Sequence, residues 1–168
     1  MYLSQQYLRD GGVSITLIGI VFSGSVLISA LAQKYAYKVE EAMGMKKTIF
    51  LATILPGIIY LLMALPLNYV WAVMLFVLLR GSMGMSEPLF SGYRNVHISS
   101  RGRATTLSLI SMIGGLYLTL MRLIIGLLAN YGITYSFIFM GTVIILASIL
   151  LRVDERDVKA GQSLTAPI

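Results

Sequence analysis

The chain contains no cysteine, and its single histidine, His97, has no second histidine with which to share a metal ion. Disulfides, thiolate-ligated metals and a histidine zinc centre are therefore excluded, and no cofactor is implied. Charge is scarce as well. Only 12% of the 168 residues are Asp, Glu, Lys or Arg, against about 25% in soluble domains. Apolar residues take their place, at 57% of the chain. Thirteen Lys and Arg against seven Asp and Glu leave a net charge of +6. These charges fall in short clusters between long apolar runs, which marks orientation in a membrane rather than a nucleic-acid surface. Sixteen glycines and ten methionines suit close, adaptable helix contacts in lipid.

A helix needs about 20 mostly apolar residues to cross roughly 30 Å of hydrocarbon. Five such runs are present, at 12–33, 48–66, 69–92, 104–128 and 134–152. They predict an all-α, polytopic membrane bundle of five transmembrane helices, with an extracytoplasmic segment at 1–11 and a cytoplasmic tail at 153–168. The links at 67–68 and 129–133 are short, so they join antiparallel hairpins. Lys34, Lys38, Lys46 and Lys47 follow the first run, Arg94, Arg101 and Arg103 the third, and Arg152, Arg156 and Lys159 the fifth. The other two links hold no cation. By the positive-inside rule this alternation places the N-terminus outside and the C-terminus inside. Tyr7, Tyr69, Trp71, Tyr131 and Tyr135 fall near the outer interface on that scheme, and Tyr35, Tyr37 and Tyr93 near the inner one. Arg9, the apolar run from Val13 and the Ala30-Leu31-Ala32 triplet imitate a cleaved signal peptide. The run exceeds the expected 7 to 15 residues, roughly, and cleavage would put the following lysines on the wrong side.

Arg80 sits eleven residues into the third run, about 16 Å deep at 1.5 Å per residue. Near a bilayer centre a guanidinium must face protein or water. Gly84 and Glu87 follow on the same helical face, with Met83 and Ser91. Arg80 is a candidate for holding an anionic or strongly polar substrate group, and Glu87 for proton coupling. The structural alternative is that both pair with charges on other helices, or that Glu87 reaches the rim. Arg122 lies near the end of the fourth run, where snorkelling to the interface explains it. Gly19 and Ser23, and Ser111, Gly115 and Thr119, repeat at four-residue spacing and predict helix packing, with a substrate pathway as the lesser reading. Pro56-Gly57 and Pro88 interrupt the second and third runs and predict a kink or loosening there.

Two segments carry a family resemblance. The stretch from Tyr93-Arg94-Asn95 to Arg103-Ala104-Thr105, continuing to Gly126 and the Ala129-Asn130-Tyr131-Gly132 turn, resembles the major facilitator superfamily, in which a basic loop ending in Arg-Ala-Thr opens the eleventh helix. Asn130 stands where that turn usually has an acid. Residues 38–47 resemble the family's signature loop between the eighth and ninth helices. Glu41, Gly44, Lys46 and Lys47 match its acid, glycine and basic positions, while its first glycine is absent. The resemblance implies that the five runs correspond to helices eight to twelve and residues 2–10 to the outer end of helix seven. Gly44 permits a tight turn in its loop, and Lys46 and Lys47 can meet anionic headgroups or a neighbouring helix end, beside their plainer role as positive-inside anchors. Arg101 and Arg103 set topology or meet a carboxylate partner, with a conformational latch as the functional reading.

The function these readings predict is transport of a small solute by the C-terminal part of a secondary transporter, multi-pass in the plasma or inner membrane. Such a chain is truncated or split and inactive alone; its partners are the lipid bilayer, a missing N-terminal half, and a small-molecule substrate, with no nucleic acid. The rival reading is a small helical subunit that binds and stabilises another membrane protein. An intramembrane enzyme is disfavoured, because no nucleophile and base accompany Glu87.

Overall fold

The computed structural model describes residues 2–66, 68–98 and 102–150, and among them it contains six helices and no strand. They are α1 (Tyr2–Asp10), α2 (Ile15–Met43), α3 (Met45–Met63), α4 (Tyr69–His97), α5 (Arg103–Ala129) and α6 (Ile133–Leu150). The five from α2 to α6 are long and apolar enough to cross a membrane. Arg101 and the predicted tail lie outside the described residues.

Each corner has a local cause. α1 ends in a Schellman motif: Gly12 takes φ 85°, its N–H donates to the Arg9 carbonyl, and the Val13 N–H donates to that of Leu8 at 2.9 Å. Val13 and Leu8 are both buried, the apolar contact that accompanies this cap. Ser14 then opens α2 by accepting from the Leu17 N–H, and Asn68 opens α4 by accepting from that of Trp71. Gly44 alone connects α2 to α3, at φ 80°, a conformation that suits glycine. Buried Thr48 closes this corner by donating to the Val39 and Gly44 carbonyls.

α2 runs ten residues past the predicted span end at 33. Hydropathy registers where lipid gives way to water, whereas a helix stops only at a breaker, and none occurs before Gly44. Across this extension Lys34 and Lys38 lie over the Tyr35 ring, 5.9 and 5.2 Å from its centroid. α4 likewise continues beyond the predicted 92 to His97.

α2 lies along α4, α3 lies along both α4 and α6, and among the described residues the only extensive contact of α5 is with α6. One core cluster, around Tyr60, Phe76 and Phe137, fills the end of the bundle that carries α1 and Gly132; a smaller one, around Ala52 and Leu89, fills the Gly44 end. Exposed Tyr69, Trp71, Tyr131 and Tyr135 ring the first end, and Tyr35 and Tyr37 the second, as in interfacial aromatic belts.

The close helix approaches are not those that small-residue spacing predicts. A Cβ on Gly57 would fall 2.8 Å from Ile145 Cγ1, and one on Gly141 would fall 2.8 Å from the Gly57 carbonyl oxygen, so these two glycines set the α3–α6 contact. Gly84 meets Ser29 in the same way where α2 crosses α4. In contrast Gly19, Ser23, Ser111, Gly115 and Thr119 are all exposed, and Gly19 and Gly115 have open space beside them. Among the described residues no helix packs on them; the spacing marks a face as small without saying what faces it.

Pro56 lies inside α3 and cannot donate to the Ala52 carbonyl one turn back. Ser86 of α4 supplies the donor instead, its hydroxyl 2.9 Å from that oxygen. Replacing Ser86 by Ala should therefore destabilise the chain by about 1 kcal/mol, and by much less in a Pro56→Ala background, where the helix supplies its own N–H. Denaturant unfolding of the four proteins in detergent checks the cycle; equal losses in both backgrounds would contradict it. Gly141→Val should cost roughly 1–3 kcal/mol from overpacking, while Gly19→Ala should change the same unfolding midpoint little.

Candidate functional site

α1 brings Ser4 and Gln6 over a gap between α3, α5 and α6. Together with Tyr60, Arg122, Asn130 and Phe137 they enclose a cavity of about 770 Å³ at the Gly132 end, within the roughly 300–1,000 Å³ usual for small-molecule sites. Its wall is an aromatic group. The Phe137 ring lies edge-on to Tyr7 at 5.2 Å and stacks with Tyr60 at 6.0 Å. Tyr7 is buried, and its hydroxyl is the one buried side-chain polar atom without a partner among the described residues.

Two guanidinium groups bear on Tyr60. Arg122 lines the cavity with it, and the charge of Arg80 reaches it from α4. Arg80 is half-buried and makes no ion pair or hydrogen bond among the described residues. In the membrane-spanning part of a helix such a cation must face protein or water rather than lipid.

The face of α5 that carries Arg122 has a longer reach. Ser111, Gly115, Thr119, Arg122 and Gly126 follow at spacings of four, four, three and four, so they form one stripe along the helix. Its end lines the cavity at Arg122 and Gly126, and its remainder is exposed. One hydroxyl on α6 anchors this helix: Ser136 is buried and donates to the Ile125 carbonyl at 3.1 Å.

The sequence of this chain matches the Major Facilitator Superfamily over residues 1–167. The chain belongs to that superfamily. No curated protein and no solved structure matches it. Members of the superfamily are transporters, so this is a major-facilitator chain built to sit in a bilayer as a multi-pass protein.

The candidate residues of this major-facilitator chain are only partly gathered together. The charge of Arg80 reaches Tyr60, but Gly84 is spent on the Ser29 contact, and Glu87 is exposed with no ion pair among the described residues. Arg80, Gly84 and Glu87 do not line the cavity that Tyr60 and Arg122 share. At the Gly44 end, Glu41 and Lys47 are exposed, Lys46 is half-buried, and Arg103 opens α5 from an exposed position. Among the described residues no cluster of three or more His, Asp or Glu is placed to hold a metal ion. Ser4, Gln6 and Tyr60 are cavity residues that sequence reasoning missed, and Arg122 is one that it assigned to snorkelling. Arg122 carried a signal, since its spacing continues the Ser111, Gly115 and Thr119 repeat.

The absence of native cysteine makes the cavity directly testable. Single cysteines at Ser4, Gly126 and Asn130 should react with a membrane-impermeant maleimide, while one at lipid-facing Leu116 of α5 should not. Cavity positions as slow as Leu116 would show that the cavity excludes water.

Proposed function

We propose that this chain is the C-terminal part of a major-facilitator secondary transporter for a small anionic or strongly polar solute, and that it works only with further helices. On this reading α2 to α6 are helices eight to twelve and α1 is the outer end of helix seven. The N-terminus lies outside and the C-terminal tail in the cytoplasm, in the plasma or inner membrane. Arg80 is the candidate for holding the solute's anionic or polar group, Arg122 lines the cavity it shares with Tyr60, and Glu87 is the candidate for proton coupling. Lys46, Lys47, Arg101 and Arg103 serve as anchors and latch at the cytoplasmic face.

The observation that carries this reading is the exposed small-residue stripe on α5, which ends at Arg122 and the cavity, in a chain of this superfamily. Each half of such a transporter is built of two three-helix repeats. Here α4 packs on α2 and α3, and α3 pairs with α6. The repeat calls for one helix that packs on α5 and α6 as α4 does on α2 and α3. α1, nine residues long, supplies only a short piece of it. The exposed faces of α2 and α5 then receive the other half of the transporter.

Reconstituted alone in proteoliposomes, the chain should give no solute uptake above empty vesicles across a panel of labelled anionic and neutral solutes. Robust flux from the chain alone would overturn the requirement for further helices. In the assembled transporter, Arg80→Gln should weaken solute affinity by roughly 10-fold or more, the loss of a charge-assisted hydrogen bond. Labelling in intact cells checks the orientation: a cysteine at Gln6 should react with an impermeant reagent from outside, and one at Lys47 only after permeabilisation. If the chain co-purifies with a complete, unrelated membrane protein whose stability depends on it, the subunit reading replaces this one.

A further inference from the structure

A second cleft lies at the opposite end of the bundle, between α3, α4, α5 and α6, and encloses about 530 Å³. Lys46, in the first turn of α3, stands at its rim, and Pro56 lies at its deep end. Ten residues of helix separate the two, about 15 Å at 1.5 Å per residue. That is half of the roughly 30 Å hydrocarbon thickness. The cleft therefore has the depth of one lipid leaflet, from a membrane surface to the midplane.

Its walls suit an alkyl chain. Ile49, Phe50, Met83, Phe90, Val143 and Ile144 supply most of the lining. Four hydroxyls interrupt them: the Tyr117 phenol is exposed, and the other three already donate to backbone carbonyls, Thr53 to Ile49 and Phe50, Ser86 to Ala52 and Ser82, Ser148 to Ile144. A polar solute entering here would give up water and gain none of those three donors, whereas an acyl chain would give up nothing. Lys46 is the sole charged residue in the lining. It keeps an interaction within the protein and still borders the cleft. Lys47 and Arg103 stand at the same end of the bundle, so the rim is cationic where lipid phosphates lie.

We propose that this cleft binds one acyl chain of an anionic phospholipid from the leaflet on the Gly44 side, with the lipid phosphate at Lys46. The charge of the rim selects the headgroup, and the apolar walls, with three of their four hydroxyls already spent on backbone carbonyls, disfavour polar competitors in the interior. This lipid site is separate from the polar cavity at the other end of the bundle and does not depend on the transport reading.

Fluorescence quenching tests it on the full chain. Trp71 is the sole tryptophan, so a Trp71→Phe, Phe90→Trp protein reports from the cleft alone. It is placed in phosphatidylcholine vesicles containing either phosphatidylglycerol or phosphatidylcholine brominated along the acyl chain. The brominated phosphatidylglycerol should reach half-maximal quenching at a mole fraction about fivefold lower, the effect of one interfacial cation. Lys46→Gln should erase the preference, Lys46→Arg should keep it, and Ala147→Phe, which fills the cleft, should reduce quenching by both lipids. Circular dichroism verifies that each variant is folded; if Lys46→Gln is not, the comparison of the two lipids on the parent and Lys46→Arg proteins decides. Equal quenching by the two lipids, a preference that survives Lys46→Gln, or no quenching from a cleft filled by protein would each overturn the proposal.

Discussion

Hydrocarbon offers no hydrogen-bond partner, so each backbone N–H and C=O in the membrane must be satisfied from within the protein. This constraint makes every long apolar run of the chain a helix, and it also identifies where a helix needs help. At Pro56 the chain breaks its own ladder, and Ser86 crosses from α4 to close the gap at Ala52. A residue that disrupts one helix thereby ties two together, beside the Gly57–Gly141 contact that joins α3 to α6. The rigid unit of α2, α3, α4 and α6 follows from these few contacts, and α5 is attached to its edge.

The two cavities show how differently hydroxyls and cations behave according to what surrounds them. In the Gly44 half, serine and threonine hydroxyls turn back to carbonyls and leave an apolar cleft. At the Gly132 end, Gln6, Asn130, Tyr60 and Arg122 face a shared space, and the Tyr7 hydroxyl stays unpartnered behind it. One surface suits lipid, the other a polar solute.

Much of the architecture was legible in the amino-acid order. The five spans, and the antiparallel pairing of α3 with α4 and of α5 with α6, followed from apolar length and short links. Helix ends were less legible: α2 persists to Met43 because polar residues such as Lys38 and Glu40 are compatible with helix, even though they are not compatible with lipid. Close packing was least legible. Gly57 and Gly141 lie on different helices and share no sequence period, while the regular spacing of Gly19 with Ser23 described a face with nothing of this chain against it. For the site, Arg80 stood out as a charge in an apolar run. Tyr60 and Gln6 did not, since their shared cavity depends on how α1 settles over α3, α5 and α6.

The central claim is that the Ser111, Gly115 and Thr119 face of α5 is turned away from lipid by helices beyond those described here. Oxygen collides often with a spin label that faces acyl chains and seldom with one covered by protein or water. The direct measurement is the oxygen collision rate of labels at Gly115→Cys and Leu120→Cys, in the membrane where the chain normally works. The account predicts a markedly lower rate at 115 than at 120. Equal, high rates at the two positions would mean that α5 is bathed in lipid on every free side, and would contradict it.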